Sequence, residues 1–216
     1  MKRKTLELLA CPTCRGALAL DGAGVADPVE TGTLVCAGCQ RQYPIREGIP
    51  HFIEPRELTG LNGRFARFYD RFTHIYFFFN HVAFLFLGGV RRSRKDDIID
   101  RLELAAGRVL EVSIGPGINL PYLYEAPGPI EVYGLDISLG QLRHCQGFCR
   151  KRGLEAELFL GTAEALPFRD NAFDATLHIG GINFFNDKRA AIAEMVRVAR
   201  PGTKVAIADE NEKAAR

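Results

Sequence analysis

The stretch VLEVSIGPG, Val109 to Gly117, decides the fold. It reads as a buried β-strand, a short apolar run with valines, that runs straight into a glycine turn. Glycines at 115 and 117 let the backbone approach a ligand closely and leave amides pointing at it. Downstream, strands alternate with helices. INLPYLYEA (118–126) begins a helix, IEVYGLDIS (130–138) is a second strand, and LGQLRHCQGFCRKRG (139–153) is a helix ended by Gly153. EAELFLGTA (155–163) and AFDATLHIG (172–180) are the third and fourth strands. The helix DKRAAIAEMVRVAR (187–200) and a fifth strand, KVAIADE (204–210), follow. This alternation predicts an α/β fold with a parallel sheet and crossover helices.

Spacing narrows what the turn is shaped to hold. A P-loop needs Gly-Lys-Ser/Thr, which is absent. A dinucleotide fingerprint counted from Gly115 puts its last small residue at Leu120, where a leucine obstructs close packing of helix on strand.

Upstream the texture changes. The first fifty-odd residues are dense in Gly, Pro and Cys, which is small, turn-rich β material. CPTC (Cys11, Cys14) and CAGC (Cys36, Cys39) are two Cys-x-x-Cys knuckles roughly twenty residues apart. Two such knuckles close a tetrahedron around Zn²⁺, and four thiolates leave no open position, so the site is structural. A unit this small buries too little apolar surface to fold unaided, whereas structural zinc supplies on the order of 10–16 kcal/mol. Cys145 and Cys149 lie four apart on a helix and read as core residues.

The segments LLACPTCRGAL and LVCAGCQRQYPIREGIP resemble the zinc-ribbon family of small proteins that bind and activate class I methyltransferases. The glycine turn resembles that fold's S-adenosylmethionine loop, acidic-x-Gly-x-Gly-x-Gly, with Glu111, Ser113, Gly115 and Gly117 in its four places. GLDIS puts Asp136 where the family's carboxylate accepts hydrogen bonds from the ribose hydroxyls. GTAEALPFRDNAFD is similar to the adenine-bordering segment, which carries Thr162, Ala163 and Glu164 over as cofactor-binding positions, with Thr162 where an aspartate is usual. From roughly 65 to 210 the resemblance is to the group that includes the ubiquinone and menaquinone C-methyltransferases. RFARFYDRFTHIYFFFNH is similar to that group's capping helix, with Tyr69 and Asp70 matching its Tyr-Asp pair.

The resemblance implies a Rossmann-like class I methyltransferase sheet, lacking its last two strands, behind a β-rich zinc ribbon. The expected domains are a ribbon over 1–55, a helical capping region over 56–100 and a cofactor-binding domain over 101–216. Ser113 is expected to be tolerated provided its position needs no positive φ. A sheet that stops at its fifth strand exposes an edge, so a missing C-terminal segment or a partner copy is expected to cover it. His178, at the end of the fourth strand, is the candidate base. NFFN, at 183–186, lies too far past that strand to be counted in the site.

A net charge of +2 does not announce a nucleic-acid binder. The apolar run over 75–90 falls short of the roughly 20 residues a bilayer span needs, and Asn80 and His81 interrupt it. It reads as a buried element that touches a membrane surface or a greasy acceptor. With no secretory signal visible, the expected location is cytoplasmic and peripheral to the membrane. The implied function is methyl transfer from S-adenosyl-L-methionine to a hydrophobic small molecule. The readings left open are a zinc-ribbon rRNA guanine methyltransferase and a non-catalytic scaffold or activator.

Overall fold

The computed structural model describes residues 1–22, 24, 26–54, 57–64, 66 and 98–209. Tyr69, Asp70 and the 75–90 run lie outside the described residues. No helix among the described residues is long and apolar enough to cross a membrane.

Four antiparallel strands form the N-terminal sheet: β1 (Leu18–Asp21), β2 (Gly32–Cys36), β3 (Gln42–Arg46) and β4 (Ile49–Pro50), in that spatial order. The second sheet is parallel. Its strands are β5 (Gly107–Val112), β6 (Ile130–Asp136), β7 (Glu157–Leu160), β8 (Phe173–Ile179) and β9 (Ala199–Ala208). Their order is β7-β6-β5-β8-β9, so the chain winds outward from β5 first in one direction and then in the other. Such a reversal leaves a crevice at the carboxyl ends of the strands, where ligands of open α/β sheets bind.

Helices that follow β5 among the described residues are α1 (Leu120–Leu123), α2 (Leu139–Arg152) and α3 (Lys188–Val198). Helix α2 starts where the Ser138 hydroxyl accepts the Gln141 N–H at 3.2 Å and ends at left-handed Gly153, φ 64°. Helix α1 is much shorter than INLPYLYEA suggests. It has no side-chain N-cap and begins beside Pro121.

The two sheets share one core. Leu9, Cys11, Leu34 and Ile45 of the ribbon are buried in the same cluster as Phe159, Phe168 and Phe173. The last three stack edge to face, with centroids 5.0 and 4.9 Å apart, each such pair adding about 0.5–1.5 kcal/mol beyond burial. At the sheet edge the Phe52 N–H donates to the Leu160 carbonyl at 2.8 Å, and His51 forms a parallel bridge with Leu160. The ribbon therefore covers the β7 edge, which would otherwise present unpaired backbone groups.

Candidate functional site

The two cysteine knuckles are built alike. Cys11 N–H donates to the Gly16 carbonyl and Cys36 N–H to the Arg41 carbonyl, both at 2.9 Å. In each, the residue after the second cysteine is left-handed: Arg15 at φ 62° and Gln40 at φ 60°. All four sulfurs lie within 4.8 Å of one another, with Cys11–Cys39 at 3.7 Å and Cys14–Cys36 at 3.4 Å. Zn–S bonds of about 2.3 Å in a tetrahedron put sulfurs roughly 3.8 Å apart, so the four residues fit a structural zinc ion. The Tyr43 hydroxyl lies 3.1 Å from Cys11 Sγ, a second-layer contact that orients the ligand.

The first knuckle also anchors the ribbon to the second domain. Arg15 reaches across to donate to the Leu166 carbonyl at 3.0 Å and to Glu194 Oε1 at 2.6 Å. Burial raises the Glu194 pKa, but hydrogen bonds from Arg197 and Arg15 outweigh it and leave the carboxyl below its usual range.

The crevice at the strand ends is a cleft of about 380 Å³. Ser113, Gly115 and Pro116 form one wall; Asp136, Ile137 and Gln141 form another. Gly161, Ala163 and Glu164 line it from the β7 side, and Ile179, Gly180, Phe184 and Phe185 from the β8 side. A larger hollow of about 640 Å³ lies at the opposite, amino ends of β6 and β7. Two ion pairs, Lys2–Glu155 and Lys4–Glu131, cross it. The smaller cleft is the better site, because it stands at the carboxyl ends and has groups left to bind a ligand.

The turn after β5 holds a finding that its serine does not announce. Ser113 has φ 60°, so the position does require a positive φ, contrary to the condition under which serine is tolerated freely. A non-glycine residue there costs about 1–2 kcal/mol. The strain is held by its surroundings: Ile114 N–H donates to Leu135 O at 3.1 Å, and Gly117 N–H to Ile114 O at 3.1 Å. Gly117, at φ 80°, has no room for a side chain. A Cβ would stand 2.7 Å from both Cys145 Sγ and Leu120 Cδ1, and Cys145 is indeed a core residue under the turn.

Asp136 closes the turn from β6. Its Oδ2 accepts the Gly115 N–H at 2.8 Å, and its Oδ1 accepts the Ser138 N–H at 2.9 Å. These two amides fix the carboxylate at the edge of the cleft that it lines. Glu111 sits on β5, 1% exposed, and accepts the Asn119 amide N–H at 2.6 Å. It supports the wall through Asn119, which itself lines the cleft. Asn119 Oδ1 and Gln141 Oε1 are buried with no hydrogen-bond partner among the described residues, a cost that a ligand donor removes.

Thr162 stands at the N-terminus of the short turn 163–165; its neighbours Gly161, Ala163 and Glu164 are the ones that line the cleft. His178 is fully buried on β8. Its Nδ1 lies 2.9 Å from the Val112 carbonyl, which can only accept, so Nδ1 carries the proton and Nε2 the lone pair. Burial, outweighing that hydrogen bond, holds its pKa below the ordinary histidine value. The ring lies 4.9 Å from Phe185, so an aromatic side chain of the cleft wall covers it.

Sequence reasoning passed over Asn62, Asn119, Gln141, Phe184 and Phe185. The last two belong to NFFN. Gly180 and Gly181, at φ 81° and 96°, turn the chain back over the cleft and shorten the distance that counting residues overstates.

The parallel sheet has the Rossmann-like fold of methyltransferases, and the antiparallel strands with their four-cysteine cluster fit a zinc ribbon. Residues 110–207 match the family described as methyltransferase domain, and residues 2–48 match the family described as Trm112p-like protein. A demethylmenaquinone methyltransferase of Renibacterium salmoninarum is 37% identical over 127 residues, 58% of this chain and 50% of that protein. A phthiotriol/phenolphthiotriol dimycocerosates methyltransferase of Mycobacterium leprae is 37% identical over 109 residues, 50% of this chain and 40% of that protein. The chain thus spans half or less of these relatives' length. A solved structure from Methanococcus maripaludis, assigned as an S-adenosyl-L-methionine-dependent methyltransferase, covers 71% of this chain and 66% of its own at TM-score 0.53. At 19% identity it speaks to the fold alone.

Proposed function

We propose that this chain transfers a methyl group from S-adenosyl-L-methionine to a hydrophobic small molecule of the quinone or lipid kind. The observation that carries the reading is the Asp136 carboxylate, held by the Gly115 and Ser138 amides at the mouth of the strand-end cleft. When bound there, the cofactor supplies an activated methyl group on a sulfonium.

Transfer by displacement demands alignment above all. Asp136 takes the ribose hydroxyls, Ser113 to Gly117 present backbone at the methionine end, and Ala163 borders the adenine. Phe184, Phe185 and Ile179 offer the acceptor an apolar wall that excludes water. His178 acts through Phe185, as the neutral ring packed behind it, rather than by touching the acceptor. Cys11, Cys14, Cys36 and Cys39 hold a structural zinc ion that keeps the ribbon folded against β7. Relatives named for methylating a menaquinone precursor and a mycobacterial lipid support the acceptor class. The net charge of +2 argues against RNA.

The test is methyl transfer from radiolabelled cofactor to demethylmenaquinone, to a membrane lipid extract and to ribosomal RNA, beside Asp136→Ala. Label entering the organic phase and lost in the variant supports the proposal. Label entering RNA alone refutes the acceptor class.

A further inference from the structure

One carboxylate gathers two other segments of the chain. Glu164 Oε1 accepts from Asn62 Nδ2 at 3.0 Å, from Asn186 N–H at 2.9 Å and from Asp187 N–H at 3.3 Å. The segments it joins are also joined to each other. Asn62 N–H donates to Asn186 Oδ1 at 3.3 Å, and Asn186 Nδ2 donates to the Thr59 carbonyl at 3.1 Å. The contact is close enough that a Cβ on Gly60, φ 59°, would stand 2.5 Å from Asn186 Oδ1. Asn62 is 6% exposed and lines the cleft with Glu164, while Phe184 and Phe185 lead directly into Asn186.

The other oxygen of the same carboxylate, Oε2, is buried with no hydrogen-bond partner among the described residues. A carboxylate oxygen left so is costly unless a donor arrives. A cleft ligand that presents a hydroxyl or an amino group supplies that donor.

We propose that Glu164 is a positioning residue that works as a clasp. Its Oε1 ties residues 59–62 and the 184–187 loop together, and its Oε2 takes a hydrogen bond from the bound cofactor. Cofactor binding then tightens the apolar acceptor wall and the 59–62 segment in one event, so the acceptor meets an ordered wall only after the cofactor is in place. The coupling to cofactor rests on the function proposed above; the clasp itself rests on the contacts alone.

Hydrogen exchange of the full chain, with and without S-adenosylhomocysteine, tests it on the wild type, Glu164→Ala, Glu164→Gln and Asn62→Ala. In the wild type the ligand is expected to slow exchange tenfold or more at 113–117, 59–64 and 184–187 together. Glu164→Ala keeps the slowing at 113–117 and loses it at the other two segments. Asn62→Ala, a milder change should Glu164→Ala fail to fold, loses it at 59–64 alone. Glu164→Gln, which retains an acceptor oxygen, restores part of it at both. Slowing in all three segments of Glu164→Ala overturns the clasp. If the wild type binds no ligand, the functional reading fails, and the clasp is judged on the free protein. There Glu164→Ala must speed exchange at 59–64 as well as at 186–187, and a change confined to 186–187 reduces Glu164 to a helix cap.

Discussion

Gly115 donates its backbone N–H to Asp136 Oδ2 at 2.8 Å, so the turn after β5 is fastened to the end of β6 by the carboxylate proposed to receive the cofactor. The Ser138 amide holds the other oxygen, which places the charge of Asp136 between two backbone dipoles. A ligand meets a carboxylate whose rotamer is already fixed, so little side-chain entropy is lost on binding.

The strain at Ser113 predicts a stabilising substitution. Glycine adopts φ 60° without steric cost, but it gives the unfolded chain more freedom, which takes back about 0.4–1 kcal/mol. Against a left-handed cost of about 1–2 kcal/mol, Ser113→Gly should raise stability by about 0.5–1 kcal/mol. Urea unfolding measures it, and a shift in midpoint at constant slope is the expected form. A loss of stability would mean that the serine hydroxyl contributes more than its backbone costs.

Removing the zinc ion proposed at the four cysteines should weaken both sheets at once. Leu9 and Cys11 share a core with Phe159 and Phe168, and Arg15 ties the first knuckle to Glu194. Chelation by EDTA or Cys36→Ser should therefore lower the melting temperature of a single cooperative transition. Two resolved transitions, with the second unchanged, would show that the ribbon folds independently of the sheet.

Acid should act early, through histidine. His178 is held below its ordinary pKa in the fold, chiefly by burial, while the unfolded chain takes up a proton near pH 6.5. The unfolded state thus binds more protons once the pH drops below about 6.5. Stability present above that pH falls as the pH falls toward the folded pKa, by at most about 1.4 kcal/mol per pH unit for one group. His51, whose pKa burial also lowers, adds a second group with the same sign. The slope of stability against pH between 6.5 and 5 should diminish in His178→Asn, and an unchanged slope would show that His178 does not contribute.

Much of this architecture is legible in the chain. The five parallel strands announce themselves by apolar runs and glycine punctuation, and the four cysteines by their spacing. Asp136 and the glycines of the turn stand where a local motif puts them. What the sequence withholds depends on contacts between distant segments. The positive φ of Ser113 follows from how Ile114 pairs with Leu135 rather than from residue type. Phe184 and Phe185 reach the cleft because two left-handed glycines fold the chain back. The burial of His178 comes from Val112 and Phe185, neighbours 66 and 7 residues away. That the ribbon covers the β7 edge through Phe52 and Leu160 has no local signature at all.

The most direct measurement is calorimetric binding of S-adenosylhomocysteine to the zinc-loaded chain, beside Asp136→Ala, with circular dichroism to establish that the variant is folded. Micromolar binding is expected, weakened at least tenfold, about 1.4 kcal/mol or more, when the carboxylate is removed. Equal affinity in the two proteins, or no binding by the folded wild type, would contradict it.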